Sequence, residues 1–424
     1  MHFRPHEKRF IGVARSRLPI LLLACFLLIL YLFSSSSSST EPQKRFSPFS
    51  LSTEPQKRFS STESQKSFSS SISSTELQKR SSLHAKLIWV LNQYRSQCNP
   101  QKTVSKDILS QYENVASEYQ YSTAAQDAKE VLEDSFLSPR FCKVEFPCFS
   151  QTTEDGILLY IFAIIGAVNK KAVEICSGLG YENNLINLAV NHGWKTLMFD
   201  GSEENEKAAL NFFKITPMKH QPVFVRTFVI TETISDQVKE KGFDGEIDLF
   251  SLDMDGVDYW ILKTLITSNT IKPRVIVLET QEIWGSSKSF TRPYRSDHVS
   301  KSIPEMGAGI MAFANLLEAN GYRLIGCIEA GFNAFFMRND VGTAFFPSYA
   351  KEACFTHVDR KWRGALKERL AQGIAFDWIE VVKDPISPFG VKEIPVSKEK
   401  LLEILTSDAD VFPSPTRYEN CQAH

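Results

Sequence analysis

Surplus charge is what this chain most conspicuously lacks: 48 Lys and Arg against 49 Asp and Glu leave a formal net charge of -1 at pH 7 over 424 residues. Without a basic excess there is no electrostatic footprint for a phosphate backbone, so no nucleic-acid partner is expected. The same balance gives no pull on anionic substrates. Asn-x-Ser/Thr acceptors are also missing, which bars N-linked glycans yet leaves the secretory route open. Cysteine is sparse, at 8 residues. Cys25 falls in an apolar run, Cys142 and Cys148 are close enough in sequence to bridge, and Cys98, Cys354 and Cys421 flank the central region. One or two structural disulfides are therefore expected in an oxidising compartment, with connectivity left open.

Long apolar runs are rare too, and the one from Leu18 to Phe33 follows Arg4, Lys8, Arg9, Arg15 and Arg17. As helix it spans roughly 24 Å, enough for a thin early-secretory bilayer if the following serines contribute. Positive-inside bias makes residues 1–17 a cytosolic tail and 18–36 a signal anchor. The rest of the chain is then expected in the lumen of the Golgi or endoplasmic reticulum, as a single-pass type II protein. A cleaved signal peptide is the alternative, but no clear small-x-small site follows the run.

Residues 37–82 carry an imperfect repeat, Ser39-Thr40-Glu41-Pro42-Gln43-Lys44-Arg45-Phe46-Ser47, recurring from Ser52 and, in degenerate form, from Ser61 and Ser74. Irregular spacing and at most one phenylalanine per unit preclude a stacked core, so a flexible, disordered serine-rich stalk is expected. Beyond it, Leu83, Leu87, Val90 and Leu91 fall on one helical face and Ile108, Leu109 and Tyr112 on another. Residues 83–149 read as a helical extension. From 150 to 342 strands and helices alternate, with strands near 171–176, 195–200, 223–228, 247–253, 274–280, 322–328 and 332–338 and helices near 182–193, 203–213, 232–241, 256–267 and 304–320. Of the strands, the last two are separated by too few residues for a crossover helix, so they form an antiparallel hairpin. The fold class is α/β, a Rossmann-like, mostly parallel seven-stranded sheet with helices on both faces. Residues 343–424 read as a mostly helical tail, with Trp362, Leu366 and Leu370 at helical spacing.

The apolar run Ala172-Val173-Glu174-Ile175-Cys176 breaks into Ser177-Gly178-Leu179-Gly180, and a second run ends on Asp200. Strand, glycine turn, helix, strand and acid is how such sheets build a nucleotide site, at the carboxyl ends of the strands. A further strand ends in Asp253-Met254-Asp255-Gly256. Together with Gln151, Glu154-Asp155-Gly156-Ile157, Glu182-Asn183-Asn184, Asn191-His192-Gly193-Trp194, Asp258-Tyr259-Trp260 and Asn333-Ala334-Phe335-Phe336, these segments resemble the FkbM-like branch of the class I S-adenosylmethionine-dependent methyltransferases. The resemblance covers residues 150 to about 340. It implies S-adenosylmethionine as cofactor, with Glu174, Ser177, Gly178 and Gly180 at its methionine end, Asp200 and Gly201 at ribose, Phe228 or Val229 near adenine and Asp253 near the sulfonium. Two positions depart from the family pattern: Cys176 stands for the first turn glycine, and Leu179 for an acid.

Methyl transfer to an alcohol needs alignment and a base for the acceptor's proton. Asp253 and Asp255 are the first candidates and His298, in the long loop 281–304, the second. Each has a bland reading: Asp255-Gly256 as a turn and helix cap, His298 as an ordinary loop residue. Asp253, Asp255 and Glu279 could hold Mg²⁺ or Mn²⁺, although a metal is not favoured, because carboxylates at adjacent strand ends are common without one. Trp284, Phe290, Arg292, Tyr294 and Arg295 would suit a sugar or an anionic glycan, or simply pack the loop. Cys176 is expected to be a buried apolar residue. The expected activity is O-methylation of a glycan, lipid or small-metabolite hydroxyl. The alternatives are a type II glycosyltransferase built on the Asp253-Met254-Asp255 pair, and a non-catalytic scaffold.

Overall fold

The computed structural model describes residues 74–99, 102–124, 141–300, 306–354, 360–373 and 377–406. The segments expected to be a cytosolic tail, a signal anchor and most of a stalk lie outside the described residues. Among those described, no helix is long and apolar enough to cross a membrane.

Helix α1 (Ser74–Gln97) starts earlier than the sequence reading, which ran the stalk to residue 82. The repeat itself supplies the reason. Copies that begin at Ser39 and Ser52 carry proline at their fourth position, where the copy at Ser74 carries Leu77. Proline inside a helix costs about 3 kcal/mol relative to alanine, whereas leucine is among the better helix formers. Helix α2 (Lys106–Ala124) lies against α1, and both lie against α3 (Glu154–Ile165). Leu87, Val90, Leu91 and Tyr94 from α1 share a continuous core with Ile108, Tyr112 and Val115 from α2 and with the sheet residues Leu249 and Val277. Helices α1 and α2 of the expected extension therefore form one layer of the main body. Covered on all sides, α3 is apolar all round from Ile157 to Ile164, and each large side chain it buries contributes about 1.5–3 kcal/mol. Gly156 lets α3 approach the preceding segment, since a Cβ there would lie 2.0 Å from the Val144 carbonyl oxygen.

The main sheet contains β1 (Lys171–Ile175), β2 (Lys195–Asp200), β3 (Val223–Arg226), β4 (Gly245–Leu252), β5 (Ile271–Glu279), β7 (Tyr322–Cys327) and β8 (Asn333–Arg338), in the order β3-β2-β1-β4-β5-β8-β7. The first five are parallel. Strand β8 runs antiparallel to both β5 and β7, as the hairpin expectation requires. One face carries the α1–α3 core, with α4 (Ile186–His192) and α5 (Glu203–Ile215). The other carries α6 (Ile234–Glu240), α7 (Asp258–Thr267) and α8 (Ile310–Ala319). At the amino edge of the sheet, buried Asp248 of β4 accepts from the amides of Val168, Asn169 and Lys170 and pairs with Arg274 of β5 at 2.9 Å. Strand β1 starts at that edge and runs parallel to β2 and β4, so the glycine turn that follows Ile175 lies on the opposite, carboxyl edge.

The tail departs from its mostly helical expectation. After α9 (Arg360–Ala371) the chain makes β9 (Trp378–Lys383) and β10 (Val391–Val396), which pair with each other and, through β9, with β6 (Phe290–Thr291) from the long loop. Helix α10 (Lys398–Thr406) follows. Trp284 and Phe290 of the loop, Trp378 of β9 and Leu366, Leu401 and Leu405 of the tail bury one another in a third core. Strand content was invisible because Pro395 near the end of β10 and charged residues in both strands break the alternation that identifies an isolated strand.

Disulfides join Cys98 to Cys148 and Cys327 to Cys354. The adjacent pair Cys142 and Cys148 does not form; Cys142 is itself disulfide-bonded, but not to Cys148.

Candidate active site

At the carboxyl end of β1 the backbone turns through left-handed conformations at Cys176 (φ 62°), Gly178 (φ 56°) and Gly180 (φ 73°). Each glycine has a different reason to be one. A Cβ on Gly180 would lie 2.4 Å from the Ala209 Cβ of α5, so this position lets the turn pack on a helix. A Cβ on Gly178 would meet nothing within 4 Å, which leaves its backbone facing open space. Ser177 is buried, its amide donating to the Phe199 carbonyl at 3.0 Å and its hydroxyl lying 3.4 Å from the same oxygen. Its side chain stitches β1 to β2 rather than presenting itself to a ligand. The helix after the turn begins at Ile186, later than 182, because Asn183 Oδ1 takes the amides of Leu185 and Ile186 at 3.0 Å each.

Asp200, at the tip of β2, meets that turn. The Gly178 amide donates to Asp200 Oδ2 at 3.0 Å, while Ser202 N and Asn205 Nδ2 donate to Oδ1 at 2.8 and 3.0 Å. A carboxylate accepts at about four positions, so three partners leave capacity for one more. Gly201 beside it is exposed, and the half-exposed ring of Phe228 flanks its backbone. Val229 is buried in the core, so of the two residues expected near adenine Phe228 is the one with a free face.

A second group of acids follows β1, β4 and β5. Glu174 Oε1 accepts from Asn184 N and Ser251 Oγ, both at 3.1 Å, and Oε2 is buried with no partner among the described residues. Burial pushes its carboxyl up to about 8, with nearby Asp253 adding to the rise against the restraining effect of its hydrogen bonds. Asp253 is tied to the end of β1 by its amide, 3.4 Å from the Ile175 carbonyl. Asp253, Asp255 and Glu279 each bring a carboxylate oxygen within 4.8 Å of the others. Burial raises all three carboxyls, Glu279 furthest; a hydrogen bond with Glu279 restrains the rise of Asp253 and Asp255, while neighbouring carboxylates add to it at Asp253 and Glu279. They line a cavity of about 350 Å³ together with Gln151, Thr280, Gln281, Glu282, Met306, Gly307 and Phe332. Asp258 instead is fully buried and accepts from Met254 N at 2.6 Å and Gly256 N at 2.8 Å, which shapes the loop and opens α7.

No known family model matches the chain, and no curated protein matches it. Among solved structures it is similar to an S-adenosylmethionine-dependent methyltransferase from Clostridium acetobutylicum, at 12% identity and TM-score 0.28, over 54% of this chain and 98% of that one. It is also similar to the 16S rRNA methylase ArmA, at 9% identity and TM-score 0.25, over 54% and 97%. A methyltransferase from Methanosarcina mazei aligns at 12% identity and TM-score 0.25, over 39% and 90%.

One expectation about a side chain is corrected by the structure, and two readings left open in the long loop are located. Cys176 is exposed rather than buried. Desolvation by the surrounding protein and the carboxylates of Asp258, Asp200, Asp253 and Asp255 nevertheless push its thiol well above its ordinary range, so it stays protonated. Trp284 and Phe290 are buried in the third core, Arg292 lies 5.1 Å over the Trp378 ring, and Tyr294 bonds Glu232; these residues do not make an open platform for sugars. His298 packs on the Gly256 backbone, where a Cβ would lie 2.3 Å from its Cδ2, beside the acidic loop but not in the lining of the cavity. Gln151, Gln281 and Glu282 went unassigned at the level of sequence, and only Gln151 stood within a family-like segment.

Proposed function

We propose that this chain is an S-adenosylmethionine-dependent methyltransferase of the FkbM-like branch, transferring a methyl group to a hydroxyl of a glycan, lipid or small metabolite in the secretory pathway. The observation that carries the proposal is the meeting of the Gly178 amide and the Asp200 carboxylate at 3.0 Å, on the carboxyl edge of the sheet, with open space over Gly178. The sheet order is that of a class I methyltransferase.

The residues present fit the cofactor. The unpartnered Glu174 Oε2 would take an ammonium, the remaining acceptor capacity of Asp200 a ribose hydroxyl, and the free Phe228 ring a purine face. When bound, the cofactor supplies an electrophilic methyl group on a sulfonium. Asp253 and Asp255 would receive the acceptor's proton on a carboxylate oxygen, their raised affinity for protons suiting them to that role once ionised. The cavity beside them has Gln151 and the hydroxyl oxygen of Thr280 in its wall, polar groups suited to a hydroxylated acceptor. Disulfides at Cys98–Cys148 and Cys327–Cys354 support an oxidising lumen, and the leader supports a type II anchor in the Golgi or endoplasmic reticulum.

Mass spectrometry of glycans, lipids and metabolites from cells with and without the gene tests the activity. A species lighter by one methyl group in the deleted cells is expected. Identical spectra, together with protection of the purified protein from heat by a sugar nucleotide and not by S-adenosylmethionine, would replace this reading with the glycosyltransferase.

A further inference from the structure

We propose that Asp253, Asp255 and Glu279 form a binding site for one hard divalent cation, Mg²⁺ or Mn²⁺, that does not depend on the methyl donor. Three carboxylate oxygens within 4.8 Å of one another, drawn from the ends of two adjacent parallel strands, match the span of a shared oxygen-ligated ion. They face a cavity of about 350 Å³, roomy enough for the water molecules such ions retain. The leading protein charges that act on Asp253 are themselves carboxylates, from Asp258, Asp255 and Glu154, and Glu279 lies within hydrogen-bonding reach of it.

An independent observation comes from Glu154, at the start of α3. It is 1% exposed, and its Oε1 is held by Thr152 Oγ1 and by Asn333 Nδ2 at 2.5 Å. Asn333 is the cross-strand partner of Glu279, so the two side chains project from one face of the sheet at its carboxyl edge. That anchors Glu154 next to the cluster, where it repels Asp253, while its Oε2 is buried without a hydrogen-bond partner among the described residues. An unpartnered buried carboxylate oxygen costs several kcal/mol in a dry interior, roughly, unless something donates to it. A water molecule held on the cation would be that donor. Gln151 and Phe332, the neighbours of Glu154 and Asn333 in sequence, wall the same cavity, which joins the two observations in one place.

If the methyltransferase reading holds, such an ion would lower the proton affinity of an acceptor hydroxyl in the cavity and select acceptors with adjacent oxygen donors. The site itself is tested without cofactor or acceptor. Purified full-length protein, stripped with a chelator, is titrated with Mn²⁺ while the paramagnetic resonance signal of free Mn²⁺ is recorded. One ion per chain is expected, displaced by excess Mg²⁺. Asp255→Asn and Glu279→Gln should each weaken uptake at least about tenfold, equivalent to 1.4 kcal/mol, and Glu154→Gln should weaken it less. Circular dichroism establishes that each variant is folded; Asp255 is half-exposed in a loop, so its variant decides should Glu279→Gln unfold. No uptake by the wild type, or uptake undiminished in folded Asp255→Asn, overturns the proposal. Either failure leaves the Gly178–Asp200 reading untouched.

Discussion

At Cys176 a side chain occupies backbone that glycine adopts freely, φ 62°, at a cost of about 1–2 kcal/mol. The family-like glycine is absent from the sequence, but the conformation it would serve is kept. Gly178 and Gly180 separate the two jobs a turn glycine can have. Gly180→Ala drives a Cβ to 2.4 Å from Ala209 and should cost about 2–4 kcal/mol, read as a lower denaturant midpoint. Gly178→Ala meets open space, so its cost should stay near the conformational 1–2 kcal/mol while cofactor affinity falls about tenfold or more. Glu174 gives a pH signature. Its folded carboxyl is raised from 4.5 to about 8, so between those values the folded protein holds a proton that the unfolded chain has lost. The contribution to stability is complete below the unfolded value and is lost as pH rises through the folded one. Melting curves should therefore show wild type losing stability relative to Glu174→Gln as pH goes from about 5 to about 8. A constant difference across that range would contradict the buried, unpartnered state of this carboxyl.

Among the elements, the legible ones were those whose periodicity was strong. Strands β1, β2, β4, β5, β7 and β8 and helices α5, α7 and α8 emerged near their expected positions, because continuous apolar runs or one-faced helices leave few other readings. The position of the acids Glu174, Asp200, Asp253 and Glu279 at or near strand ends was legible for the same reason: once a strand end is placed, its neighbours at the carboxyl edge are too. What sequence could not give was long-range pairing. Strands β6 and β9 are short or charged and gain their order only by burying Trp284 against Trp378, residues 94 positions apart in sequence. Disulfide connectivity is of the same kind, since Cys98 and Cys148 lie 50 positions apart and are brought together by the fold, in which α1 packs beside α3. That bond encloses 50 residues of separation and should contribute about 4 kcal/mol through the unfolded chain's lost freedom. The double variant Cys98→Ser with Cys148→Ser should lower the melting midpoint clearly, whereas an unchanged midpoint would show that packing alone fixes the α1–α2 layer.

For the whole molecule, the two edges of one sheet divide the work. The amino edge is closed by the Asp248–Arg274 pair and its backbone partners, and the carboxyl edge gathers an exposed glycine turn, an exposed aromatic ring and a cavity ringed with acids. The α1–α3 layer and the tail brace that edge through separate cores, so the site rests on the sheet and on neither terminal part alone. Calorimetric titration of the purified full-length protein with S-adenosylmethionine tests the central claim most directly. One site is predicted for the wild type, and at least about tenfold weaker binding for folded Asp200→Asn, which keeps the shape of the side chain but loses its charge. No heat of binding at millimolar cofactor, or equal affinity in Asp200→Asn, would contradict a nucleotide site at the meeting of Gly178 and Asp200.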